Sequence, residues 1–409
     1  MEKTKKKFVL NERQKRLVPV VILGAFFEGY DFMAINLVLP YITKEFNIDE
    51  PTAAYVLAII AIGALIAFFP VRRADRVGRR STFLFSVLFY SLFSFITAFS
   101  PNIETFTFLQ FLARIFLIVS WSVGYIIMSE EFDPEIRGRA LALFQVAAAI
   151  GGIFPSIVLP FVALTRLHWR LIYMISVIPL TVLFWGWKSF PETRRFEALK
   201  LERTKKMGPS QFDVFKKPYA KPLIIIMSLW FLMYLTYASS MNFFSLRVVN
   251  ELSWSEMQVG LVTGIGYTVG LLGYYVVGKM LDTLGRKKTA YIFFTLGALT
   301  VIGAFQMKDF LAITLFMIMA TFFVGPFTVI MATFTNELFP TSIRANAMAW
   351  SNNIVGRIAQ IMAPAIVGIL TPIIHLGNAI TVLASTLFIG ILIIAFLLPE
   401  TLGYQVDKD

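Results

Sequence analysis

Twelve stretches of this chain are each long and apolar enough to cross a lipid bilayer, and no other feature limits its fold as tightly. A helical span needs about 20 predominantly apolar residues to match the hydrocarbon thickness. Six such runs lie near residues 18–43, 53–70, 81–100, 105–129, 139–164 and 170–189. Six more lie near 222–246, 257–278, 289–306, 310–335, 345–372 and 377–398. Pro191 to Lys221, between the two sets, is polar, Lys-rich and without apolar periodicity, so it reads as a linker. Composition agrees: 57% of residues are hydrophobic and 15% charged, against about 25% charged in a soluble domain.

Lysine and arginine set the expected orientation. With the N-terminus in the cytoplasm, the cytoplasmic segments hold 30 of the 37 basic residues and the external loops five, while Arg114 and Arg357 fall inside spans. Both termini are therefore expected in the cytoplasm. The net charge of +12 does not point to nucleic acid, because the basic residues sit between apolar runs and form no continuous stripe. The chain has no cysteine, which excludes disulfides, thiolate nucleophiles and Cys-ligated metals. Its two histidines, His168 and His375, lie near loops with no neighbour at metal-ligand spacing. No nucleophile–base pair or cofactor loop is evident, so neither an enzyme nor a resident metal or cofactor is expected. GIGYTVGLLG (Gly264–Gly273) lies inside an apolar span, where close helix packing explains its glycines better than nucleotide binding.

The charges of the loops repeat. ADRVGRRS at Ala74–Ser81 is echoed by LDTLGRKKT at Leu281–Thr289, with Asp75 matching Asp282 at an offset of 207. At the same offset Glu130 matches Glu337 and Arg137 matches Arg344. Each half closes on Pro-Glu-Thr, at Pro191–Thr193 and at Pro399–Thr401. Three elements in one order, two at an offset of 207 and the third at 208, indicate a duplicated six-span unit, as in two-bundle secondary transporters. The expected fold is an all-α membrane protein of twelve transmembrane helices in two pseudo-symmetric six-helix bundles, 1–190 and 222–409, joined by a cytoplasmic linker, 191–221.

This pattern resembles the major facilitator superfamily, whose signature after the second span runs Gly-x-x-x-Asp-Arg-x-Gly-Arg-Arg/Lys. The second half carries it as Gly278, Asp282, Gly285, Arg286 and Lys287. The first carries Asp75, Arg76, Gly78, Arg79 and Arg80, with Val71 in place of the leading glycine. The Glu…Arg pairs and the Pro-Glu-Thr ends resemble the sugar-porter and organic-ion branches. The resemblance implies a conformational latch built from Asp75, Arg76, Gly78, Arg79, Glu130, Arg137, Asp282, Gly285, Arg286, Glu337 and Arg344. Its carboxylates are expected to cap helix N-termini, and its arginines to pair with acids across the bundle interface.

Four ionisable residues lie where a charge costs at least ~2.5–3.5 kcal/mol. Glu28 and Asp31 are three apart in the first span and share a helix face. Their Glu-Gly-Tyr-Asp motif is similar to the Asp-Gly-x-Asp of aromatic-acid:proton symporters, which implies that one of them carries a proton. Arg114 in span four is their expected partner, completing a proton-coupling set of Glu28, Asp31 and Arg114. Asn353, Arg357 and Gln360 share a face of span eleven. Gly-Arg-Ile resembles the same place in organic-anion carriers, where the arginine faces substrate. Tyr30, Trp121, Tyr125, Gln145, Trp230, Tyr234, Tyr237 and Tyr267 are the expected lining of a substrate cavity, joined by Asn242 and Tyr274.

The expected function is alternating-access transport of a small organic solute, read as proton-coupled symport of an organic anion, aromatic or other carboxylate. Its partners would be that solute, protons and the bilayer, with the chain a monomer in a prokaryotic plasma membrane. A sugar or polyol carrier is the alternative that the Pro-Glu-Thr ends suggest. A non-transporting receptor or lipid translocator on the same fold is the third reading.

Overall fold

The computed structural model describes residues 10–162, 164–201 and 212–403. The tail before residue 10 and the middle of the linker lie outside the described residues. The first half runs α1 (Glu12–Phe46), α2 (Glu50–Ile66), α3 (Phe68–Val77), α4 (Arg79–Thr97), α5 (Ile103–Glu131), α6 (Pro134–Val162), α7 (Arg170–Met174), α8 (Val177–Gly186) and α9 (Arg194–Leu201). After a single 3-10 turn at Asp213–Phe215 come α10 (Ala220–Asn250), α11 (Glu256–Leu284), α12 (Arg286–Gln306), α13 (Phe310–Val324) and α14 (Phe327–Leu338). Then follow α15 (Thr341–Met348), a π-helical stretch at Ala349–Gly356, α16 (Arg357–Ile374) and α17 (Leu376–Leu397).

Among the described residues, eleven helical stretches are long and apolar enough to cross a membrane. The sixth expected span is not one rod. It breaks between α7 and α8, and Pro179 explains where. Proline has no N–H to give the carbonyl four residues earlier, that of Ile175. The backbone there tightens instead, with Ser176 N bonding Tyr173 O at 3.1 Å and Ile178 N bonding Ile175 O at 3.0 Å.

The described chain divides into two compact units. Unit 1 holds the chain up to Ile35 and from Ile62 to Lys205, and unit 2 holds Asn36–Ala61 and everything from Lys206 onward. The tip of α1 and most of α2 therefore group with the second half of the sequence. Gly368 of α16 shows why: a side chain there would meet the Tyr55 ring and Ala54 of α2. Within unit 1, α4 packs along α5, and within unit 2, α12 packs along α13 and α17. Small residues let backbones touch, as membrane helix pairs require. Gly29 sits on the Ala148 carbonyl of α6 and Gly151 on the Phe26 carbonyl of α1. Gly266, Gly270 and Gly273, from the glycine-rich stretch of α11, lie against Thr321 and Phe322 of α13.

Helix ends show how far the duplication reaches. α4 and α12 finish near carbonyls that are 207 residues apart, Ser100 O and Met307 O. Each accepts from an arginine: Arg170 NH2 at 3.2 Å and Arg247 NH2 at 3.0 Å. The arginines are not equivalents. Arg170 comes from α7, and its counterpart in the second half is Gly377. Arg247 instead reaches over from α10, and its guanidinium lies 3.2 Å from where a side chain on Gly377 would begin. It is 4% exposed and also bonds Ala304 O at 2.7 Å.

Candidate functional site

The loop motifs fold into two copies of one polar cluster. α4 and α12 start on Arg-Arg and Arg-Lys-Lys, with no acid in the first turn and no side-chain cap of their own. Positive charge at a helix N-terminus opposes the dipole and leaves the first N–H groups unpaired. The glutamate of each Pro-Glu-Thr corrects both faults. Glu192 accepts from Arg79 N and Arg80 N at 3.0 Å each. Glu400 accepts from Arg286 N at 2.9 Å and Lys287 N at 3.0 Å. The side chains then close a second layer. Arg79 pairs with Glu130 at 3.2 Å and Arg286 with Glu337 at 2.8 Å. The threonines of the same tripeptides complete it, with Thr193 donating to Glu130 at 2.8 Å and Thr401 to Glu337 at 2.6 Å. Arg137 and Arg344 cap the ends of α5 and α14 through Phe132 O and Phe339 O, at 3.3 and 3.2 Å.

Gly78 and Gly285 make the geometry possible. Their φ values of 114° and 95° suit glycine alone, and a side chain on either would run into Glu192 or Glu400. In unit 1 Arg13 adds a further clasp, donating to the Glu192 backbone carbonyl and pairing with Glu197 at 3.0 Å. Asp282 sits beside Arg286 at 3.4 Å but is 78% exposed. The side chains of Asp75 and Arg76 lie outside the described residues.

Inside unit 1, α1 turns Glu28 and Asp31 into a buried polar pocket. Asp31 is 5% exposed, and its two carboxylate oxygens accept from Ser176 at 2.8 Å and Ser94 at 2.9 Å. Ser176 reaches it because the chain is broken between α7 and α8. Arg114 faces Asp31 electrostatically and stacks its guanidinium 4.6 Å over the Phe32 ring. Glu28 is 2% exposed, and neither of its oxygens has a hydrogen-bond partner. Tyr30 is fully buried and donates to Ile172 O at 2.8 Å, so its hydroxyl is committed to packing. Trp121 and Tyr125 flank Phe144, with ring centres 5.0 and 6.2 Å away, and Gln145 is exposed.

Inside unit 2, Arg357 opens α16 directly after the π-helical turn. It is half-buried, and its NH1 donates to Gln360 at 2.9 Å. Among the described residues no carboxylate pairs with it. Tyr234 faces Arg357 and donates to Asn352 at 2.9 Å. Trp230 stacks on Tyr234 at 5.6 Å and donates to Thr335 at 3.2 Å. Tyr237 has Tyr234, Tyr267 and Tyr274 as ionisable neighbours. Asn353 is exposed. A π-helical stretch changes the residues per turn and is often found at functional sites. Here Asn352, not Asn353, meets Tyr234.

The sequence profile of the Major Facilitator Superfamily matches residues 21–249 and again 226–408. The chain belongs to that superfamily. The putative niacin/nicotinamide transporter of Bacillus subtilis is 26% identical over 361 residues, covering 87% of this chain and 88% of the relative. The cis,cis-muconate transport protein of Acinetobacter baylyi is 25% identical, covering 92% of each chain. The crystal structure of a D-xylose-proton symporter superposes with a TM-score of 0.78 at 17% identity, over 97% of this chain and 100% of that one, which shows a shared fold.

As a member of the major facilitator superfamily the chain is a multi-pass membrane transporter of small molecules. The structure brings several sequence-predicted groups together: Arg79 with Glu130, Arg286 with Glu337, Arg357 with Gln360, and Trp230 with Tyr234. The pairs Arg79–Glu130 and Arg286–Glu337 each close within one unit. Sequence reasoning missed the cap role of Glu192 and Glu400, the hydroxyls of Ser94 and Ser176, and Asn352. The Pro-Glu-Thr repeat was a signal for the first two. The other three had none, being ordinary polar residues in apolar runs.

Proposed function

We propose that this transporter carries a small carboxylate, an aromatic or other monocarboxylic acid anion, by alternating access in symport with protons. Arg357 carries the reading. It is a permanent cation within a membrane span, and its one hydrogen-bonding side-chain partner among the described residues is the neutral Gln360. A guanidinium matches a carboxylate bidentately and never deprotonates. The surrounding Tyr234, Tyr237, Tyr267 and Trp230 offer ring faces and hydroxyls suited to a planar acid. Niacin and cis,cis-muconate, named for two relatives, are both carboxylates. Glu28, Asp31 and Arg114 form the coupling set. The 30-to-5 distribution of basic residues supports both termini on the cytoplasmic side of the plasma membrane.

The test is uptake of labelled benzoate and nicotinate into proteoliposomes with an acidic exterior. Accumulation above equilibrium is expected, and excess hexose should not compete. Arg357→Gln removes charge-assisted bonds of about 1.5–3 kcal/mol, so KM should rise about tenfold or more. Hexose uptake that carboxylates leave untouched, with Arg357→Gln as active as the parent, would sink the proposal.

A further inference from the structure

Glu28 and Asp31 lie one turn apart on α1 in opposite surroundings. Both Asp31 oxygens are held by hydroxyl donors, and Arg114 faces it across the pocket. Hydrogen bonds to the charged form and a nearby cation both favour ionisation, against the burial that opposes it. Glu28 has neither. Its oxygens are buried and unpartnered. The groups around it are the Ser120 side chain on α5, the Tyr90 hydroxyl on α4, and Asp31 on its own helix. The Ser120 and Tyr90 oxygens are also buried without partners. Tyr173, a further buried phenol, faces Asp31 and Arg114 and not Glu28. Among the described residues, the charged group acting on Glu28 is Asp31.

We infer that the two carboxylates divide the work: Glu28 takes up and releases the coupling proton, while Asp31 stays a fixed anion, pinned by Ser94 and Ser176, that balances Arg114. This rests on the proton-symport reading above. An unpaired charge at this depth is unfavourable, whereas a neutral carboxyl needs only hydrogen-bond partners, and Tyr90 and Ser120 are placed to supply them. The ion is a proton and not an alkali cation. α1, α4 and α5 are continuous helices here, with their carbonyls engaged in the helical ladder. One carboxyl and two hydroxyls are too few oxygens to surround a sodium ion. Tyr90 and Ser94 lie one turn apart on α4; Ser94 donates to Asp31, and the Tyr90 hydroxyl faces both carboxylates. Gly29, pressed against α6, fixes the height of α1.

Two measurements test the assignment. Infrared spectra of the reconstituted protein at neutral pH should show a protonated-carboxyl C=O band that shifts in heavy water. The band should vanish in Glu28→Gln and persist in Asp31→Asn. Tyr90→Phe and Ser120→Ala should move it without removing it, and Glu28→Asp should retain it, which keeps the test open if Glu28→Gln misfolds. In transport, Glu28→Gln should lose pH-gradient-driven accumulation but still exchange labelled substrate in counterflow. Asp31→Asn should lose both together. A band that survives Glu28→Gln and disappears in Asp31→Asn overturns the inference. So does accumulation driven by a sodium gradient. The infrared arm needs no substrate, so failure of carboxylate transport in the parent protein would count against the proposed function without touching the protonation of Glu28.

Discussion

Gly78 and Gly285 each serve twice, as the stop of one helix and the start of the next. Alanine at either brings a disfavoured positive-φ conformation and a methyl group aimed at a capping carboxylate. Such backbone strain costs of order 1–3 kcal/mol, so Gly78→Ala and Gly285→Ala should each lower the unfolding temperature in detergent by several degrees, and Gly278→Ala, which meets no neighbour, should not. Glu400 makes a prediction in pH. Burial pushes its carboxyl up, but the backbone N–H groups of Arg286, Lys287, Leu402 and Thr401 outweigh that and hold it below its ordinary value of 4.5. A carboxylate depressed in this way stabilises fully above that ordinary value, and the contribution fades as pH falls through the lower, folded value. Unfolding midpoints measured from neutral to acidic pH should therefore show an acid-induced loss that is smaller in Glu400→Gln, which starts less stable. Arg79 and Glu130 were readable from the repeat because charge is rare in this chain. Their partner Glu192 was less so, because the cap joins residues 113 positions apart, and no periodicity reports on contacts at that separation.

At the scale of helices, spans were legible because lipid thickness dictates their length, whereas their interruptions were not. The break after α7 follows from one proline whose effect depends on position in the turn, and the π-helical stretch before Arg357 leaves no mark in composition. The arginine exchange at the ends of α4 and α12 shows a duplicated element keeping its chemistry while changing its source. Arg247 satisfies carbonyls at Ala304 and Met307 from the space that Gly377 vacates. Removing a partner of buried polar groups costs about 1–3 kcal/mol, more where charge is involved. Arg247→Ala should thus lower the unfolding temperature clearly, and Gly377→Ala should do so by crowding the guanidinium. Arg247→Ala combined with Gly377→Arg rebuilds the arrangement of Arg170 and should recover part of the loss. Additive destabilisation by the pair would refute the exchange.

For the molecule as a whole, duplication made the two-bundle architecture readable, but not the grouping of Asn36–Ala61 with the second unit. That assignment depends on side-chain fit such as Tyr55 on Gly368, which hydropathy cannot express. It has a practical corollary for dissection of the protein. A polypeptide starting in the linker would be missing a piece that its own bundle has come to depend on, so residues 206–409 alone should aggregate in membranes. Supplying 1–205 as a separate chain should rescue them. The half that the repeat marks off in the sequence is thus not the unit that the contacts close.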